Sequence, residues 1–149
     1  MVMGIGTGMY LIDTNVISES RKRSGANRGV RNFFQQAIDA GDRLFISVIT
    51  VGELRRGVSL IRYRGDDRQA DQLEKWLEEL LVSYQDHVLD INSDIAQLWG
   101  VLRVPHPEHV LDKQIAATAI IHELTVVTRN EKDFVASGVP VLNPFDSKV

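Results

Sequence analysis

The stretch YLIDTNVISE, residues 10–19, decides how the rest of the chain is read. Three apolar positions, Tyr10, Leu11 and Ile12, end on an acid, Asp13, and a polar pair, Thr14 and Asn15, opens a helix-like segment. An apolar run ending on an acid is the pattern of a buried strand that delivers a carboxylate to its C-terminal edge. In open α/β sheets that edge is where ligands bind. Residues from other segments that reach the same edge are therefore candidates to share a site with Asp13.

Outward from this strand, apolar periodicity predicts alternating elements. A helical turn is expected over 15–20, then a basic loop over 21–29. A helix over 30–40, with Val30, Phe33, Phe34, Ala37 and Ile38 at helical spacing, is stopped by Gly41 and Asp42. Strands are expected at 9–13, 44–47, 88–91, 125–128 and 139–142. Further helices are expected at 49–62, 69–84, 93–104, 108–124 and 131–136. Alternating strands and helices imply crossovers that build a mostly parallel central sheet covered on both faces, a three-layer α/β/α fold. The glycine-rich start, residues 1–8, reads as a flexible N-terminal extension, 9–145 as one domain and 146–149 as a C-terminal tail.

Composition narrows the chemistry. The net charge of −3 does not advertise a nucleic-acid binder, so any such role needs a local basic face. The chain has no cysteine, which excludes disulfides and thiolate metal sites and suits a reducing cytoplasm. No apolar run approaches the roughly 20 residues of a membrane helix.

In a parallel sheet, Asp13, Glu53, Asp112, Asn130 and Asp133 all fall at one edge. Carboxylates gathered there repel one another unless a cation lies between them. Oxygen donors favour Mg²⁺, with Mn²⁺ as a substitute, over a zinc site of His and Cys. Such an ion suits the activation of water against a phosphodiester. Each residue also has a local use. Asp13 fits a helix cap, and Thr50 with Glu53 fits a capping box. Asp112 fits a surface acid near a helix start, and Asn130 and Asp133 fit caps of the last helix. Thr128 fits either an orienting hydroxyl or a plain β-branched strand residue.

The segments YLIDTNVISE, SVITVGELRRGV, LDKQIAATAIIHELTVVTRNEKDF and VPVLNPF, in this order, resemble the PIN-domain ribonucleases, in particular the VapC/FitB-like toxins of toxin–antitoxin pairs. The resemblance covers about 9–145. It implies a Mg²⁺-dependent endoribonuclease with Asp13, Glu53 and Asp112 as the first three acids. Asp13 and Asp112 would be the principal metal contacts, and Glu53 would position or deprotonate the attacking water. The fourth polar position falls on Asn130, where some relatives carry Asp, and Asp133 stands three residues on. The resemblance further implies a homodimer and a cognate VapB-like antitoxin, with an arginine facing the acids.

Basic residues flank the acids in sequence: Arg21, Lys22 and Arg23 after the first motif, Arg55 beside Glu53, and Arg129 beside Asn130. They are candidates for an RNA phosphate rim and equally fit a solvated surface. Two other functions use the same residues. One is an aspartyl-phosphate phosphotransfer domain, weakened because no second acid stands two residues after Asp13. The other is a PIN-like RNA-binding or regulatory module without turnover, favoured only by Asn130.

Overall fold

In the computed structural model, which describes residues 8–145, the apolar run forms strand β1 (Met9–Ile12) and Asp13 caps the helix that follows, α1 (Thr14–Ser20). A short 3-10 turn (Arg23–Gly25) leads to α2 (Arg28–Ala40), β2 (Arg43–Ser47) and the paired helices α3 (Val48–Tyr63) and α4 (Asp67–Ser83). The chain continues through β3 (Val88–Leu89), α5 (Ser93–Leu102), α6 (Val110–Ile121), β4 (Thr125–Val127), α7 (Glu131–Val135) and β5 (Val141–Leu142). Most of the expected N-terminal extension and all of the expected tail lie outside the described residues. Gly8 lies inside them, with its N–H donating to Asp42 Oδ1 at 3.1 Å. Among the described residues no helix is long and apolar enough to cross a membrane.

The five strands are parallel and ordered β3-β2-β1-β4-β5. The first strand in sequence is thus the middle strand of the sheet. After β3 the chain crosses back to the other side of β1, so the topological switch lies between β1 and β4. Register sets Ile12 opposite Val127, which leaves Asp13 and Thr128 as neighbours where the two strands end.

Successive strand side chains point to opposite faces, and the core divides accordingly. Ile12 and Val127 pack with Val16, Ile17, Val30, Leu54, Val58 and Leu77 beneath α1–α4. Leu11 and Val126 pack with Ile115, Ala116, Ala119, Leu124 and Phe134 beneath α6 and α7. This is the three-layer α/β/α arrangement expected from the alternation of elements. Phe134 is fully buried and anchors the short helix that carries Asp133. Phe134→Ala should therefore destabilise the fold by about 3–5 kcal/mol, read from denaturant unfolding.

Several local expectations change. Gly41 stops α2 in a left-handed conformation, φ 72°, as the sequence suggested. Ile38, however, is 67% exposed, because α2 covers the sheet with a narrower face than its apolar spacing implied. The capping box at Thr50 does not form. Helix α3 begins earlier, capped by Ser47, whose hydroxyl accepts from the Ile49 N–H at 3.0 Å. Helix α6 begins at Val110, not at 108, after His109 takes a left-handed conformation (φ 58°, ψ 50°), which puts Asp112 in its first turn.

Candidate functional site

Asp13 sits where β1 gives way to α1 and is 3% exposed. Its Oδ1 accepts from the Thr14 N–H at 2.8 Å, so the cap expected from local sequence is present. Its Oδ2 accepts from the hydroxyl of Thr128, itself fully buried, at 2.8 Å. The Thr128 oxygen in turn accepts from the Asn130 N–H at 3.0 Å. Asn15 completes the cradle. Its amide nitrogen lies 3.4 Å from both Asp13 Oδ2 and Thr128 Oγ1, and its Oδ1 accepts from the Arg129 N–H at 3.1 Å. Thr128 therefore orients the carboxylate, whose oxygens keep further lone pairs that a cation can use.

Glu53 comes from α3, which the Ser47 cap starts at the end of β2. Thr14 Oγ1 donates to Glu53 Oε1 at 2.8 Å and is paired with the buried hydroxyl of Thr50 at 3.0 Å. The two threonines tie α1 to α3 and hold the Glu53 carboxylate beside Asp13. The polar residues after the first acid thus have separate tasks: Thr14 serves Glu53, while Asn15 serves Asp13 and the end of β4.

Asp112 and Asp133 are half-buried and come from the first turns of α6 and α7. Together with His109 they offer three potential ligand atoms within 4.8 Å of one another. Asn130 occupies the N-cap position of α7, is exposed, and its side chain makes no capping bond. Of the two polar residues expected after β4, Asp133 is the one grouped with Asp112, and Asn130 contributes its backbone N–H to Thr128.

The electrostatics bind the acids into one field. The Asp112 pKa is pushed up to about 6, first by desolvation and then by the charges of Asp13, Asp133 and Glu53, with His109 opposing. Burial also raises Asp13 above the ordinary carboxylate value. Hydrogen bonds from Thr128 and the Thr14 N–H offset part of that rise, and Glu53 and Asp133 add to it. Asp13 and Asp112 are thus each raised by burial and by neighbouring carboxylates, an environment that favours a cation among them. An oxygen-rich donor set of this kind fits a hard divalent cation.

The basic rim is unevenly committed. Arg21 shares with Glu53 the lining of a groove of about 300 Å³ between α1, α3 and α4, floored by Leu54, Val58, Leu73 and Trp76. Leu54 and Val58 are at once core and groove floor. Arg129 stacks its guanidinium over the Phe145 ring at 4.7 Å. Lys22 pairs with Glu19 at 2.9 Å, and Arg55 pairs with Glu74 on α4 at 2.7 Å. Arg23 lines a separate cleft with Arg31 and Phe34.

Sequence reasoning missed Thr14 and Thr50 as partners of Glu53, and it passed over His109. The spacing His109-x-x-Asp112 is the available signal, since residues three apart at a helix start face the same side. For Thr128 we expect that replacement by Val, which keeps the shape and removes the hydroxyl, lowers any metal-dependent turnover about 10- to 100-fold. Thr128→Ser should retain most of it. The measurement is the cleavage rate as a function of Mg²⁺ concentration.

Comparison with known proteins places this geometry among relatives. Residues 10–137 match the family model described as the PIN domain. The chain is 33% identical over 143 residues to Toxin FitB of Neisseria gonorrhoeae, covering 92% of this chain and 99% of that protein. It is 31% identical to VapC ribonuclease Y4jK of Sinorhizobium fredii, covering 93% and 99%. The crystal structure of FitAcB from Neisseria gonorrhoeae superposes with a TM-score of 0.77 at 34% identity, covering 91% of this chain and 98% of that one.

Proposed function

This chain belongs to the PIN-domain family, homologous to the FitB and VapC toxins of toxin–antitoxin systems, and on that premise we propose that it is a divalent-metal-dependent endoribonuclease. The observation that carries the proposal is the convergence of Asp13, Glu53, Asp112 and Asp133 from four chain segments, where burial and the neighbouring charges together push Asp112 up to about 6. Asp13 and Asp112 would hold a Mg²⁺ ion, or Mn²⁺ in its place, with Asp133 adjoining. When bound, the ion supplies Lewis-acid polarisation of a phosphate oxygen and lowers the pKa of water.

The chain's own residues do the rest. Glu53 is steadied through Oε1 by Thr14 and can take the proton of the attacking water through its other oxygen. Thr128 and Asn15 hold the Asp13 carboxylate in one orientation, so it need not reorganise during the reaction. Arg21 and Arg129 flank the acids and are the rim residues best placed to receive RNA phosphates, which predicts affinity that falls steeply with salt.

The partner reading follows the same surfaces. A VapB-like antitoxin segment would lie in the apolar groove over Leu54, Val58, Leu73 and Trp76, where an arginine reaching its Glu53 end would meet the acids. The exposed apolar residues Val101, Val104, Val110 and Leu111 around α5 and α6 are the proposed face for a homodimer.

Incubating the purified chain with total RNA in Mg²⁺, Mn²⁺ or EDTA tests the activity. Cleavage that requires the divalent ion supports the nuclease. RNA binding without cleavage under every condition supports the non-catalytic module instead.

A further inference from the structure

Resting on the nuclease reading, we propose that His109 is a ligand of the metal ion, a nitrogen donor beside the carboxylates of Asp112 and Asp133 that makes this centre prefer Mn²⁺ and similar transition metals to Mg²⁺. The three residues bring one ligand atom each to within 4.8 Å of one another, with His109 Nε2 3.9 Å from Asp133 Oδ1. Ligands of one six-coordinate ion with bonds of about 2.1 Å stand about 3 Å apart when adjacent and about 4 Å apart when opposite. The His109–Asp133 distance already falls in this range, and binding one ion would draw the three ligand atoms closer together than the 4.8 Å that now bounds them.

The position of His109 explains how the ring comes to be there. It occupies the N-cap position of α6 without capping the helix through its side chain. Asp112 follows three residues later in the first turn of α6, and the chain's entry from the left-handed His109 brings the two side chains near each other. The ring is 54% exposed and the Asp133 carboxylate 31% exposed, which leaves the ion a path from solvent.

Chemistry gives the selectivity its direction. Carboxylate and water ligands suit Mg²⁺, whereas imidazole suits later divalent metals, whose affinity for nitrogen donors rises along the first row. A centre of the Asp13, Asp112 and Asp133 carboxylates alone would bind either ion through oxygen. Adding the His109 nitrogen strengthens Mn²⁺ binding more than Mg²⁺ binding.

The test uses the full chain loaded with Mn²⁺ and pulsed electron paramagnetic resonance, which detects a nitrogen nucleus coupled to the ion. We expect nitrogen coupling in the native chain and in His106→Ala, and its loss in His109→Asn, a residue that tolerates the left-handed backbone. Mn²⁺ affinity should weaken at least about tenfold in His109→Asn, with Mg²⁺ affinity changing less than about threefold. Mn²⁺ bound without nitrogen coupling, or coupling that survives in His109→Asn, overturns the ligand assignment and leaves the nuclease reading standing. A native chain that binds neither ion and cleaves no RNA overturns both.

Discussion

Asp13→Asn should lower metal-dependent RNA cleavage by at least about 10³-fold, the scale reached when a group placed for transition-state charge is removed, and should leave the fold at least as stable. The two halves of this expectation have separate causes. The amide keeps the carboxylate's shape, and its oxygen can still accept from the Thr14 N–H that Asp13 now caps. Its NH₂ group would face Thr128, whose oxygen accepts from the Asn130 N–H at 3.0 Å and from the Asn15 amide only at 3.4 Å, so the new donor can take the weaker place. What disappears is a buried negative charge that desolvation disfavours and that repels Glu53 and Asp133. Thermal melts of the metal-free variant should therefore match or exceed those of the native chain. Because Asp13 is the strongest charge acting on Asp112, the Asp112 pKa should also move down toward its ordinary value in this variant. Full cleavage by Asp13→Asn would remove Asp13 from the chemistry, and an unfolded variant would overturn the expected match in stability.

Asp112→Asn should cost a comparable factor in cleavage, and it should also change how the protein responds to pH. In the folded chain the Asp112 carboxyl takes up its proton near pH 6, against an ordinary value of 3.8. Between those values the folded state binds more protons than the unfolded one, so stability rises as the pH falls through the window. The contribution is fully present below 3.8 and is lost as the pH climbs through about 6. The raised pKa of Asp13 acts in the same direction. Metal-free native protein should gain stability between pH 7 and pH 5 relative to Asp112→Asn, and that difference isolates this one group. Divalent binding should follow the opposite course, weakening below about pH 6 as the proton competes for the ligand. Melting curves at several pH values, with and without Mn²⁺, measure both effects. A variant that follows the native pH profile throughout would remove Asp112 from the titration.

The sheet and its helices were legible because their signals are local: short apolar runs for the strands and helical spacing for the helices. The positions of Asp13, Glu53 and Asp112 at one edge followed from topology once the strands were taken as parallel. The partners of those acids were not legible, because the decisive contacts join distant segments. Thr50 and Glu53 have the spacing of a capping box, and only the hydroxyl pairing of Thr50 with Thr14 shows that the box goes unused. Thr128 fits an orienting hydroxyl and a plain strand residue equally well until β4 is set beside β1. His109 was hidden by Pro107, which made the helix start difficult to place, so its proximity to Asp112 and Asp133 emerges only with the backbone. The choice between Asn130 and Asp133 rested on the same short helix, whose five residues leave little pattern to read.

The central placement of β1 has a consequence for the order in which a ribosome assembles this protein. The strand that carries Asp13 is made first, yet the hydroxyl that fixes its carboxylate is 115 positions further along. At about 5–20 residues per second, several seconds of translation separate the two. Until β4 emerges, Asp13 lacks Thr128, α7 has not delivered Asp133, and one edge of β1 stays unpaired. On the nuclease reading proposed above, a nascent chain of this design cannot cleave the RNA around it until β4 and α7 have joined β1.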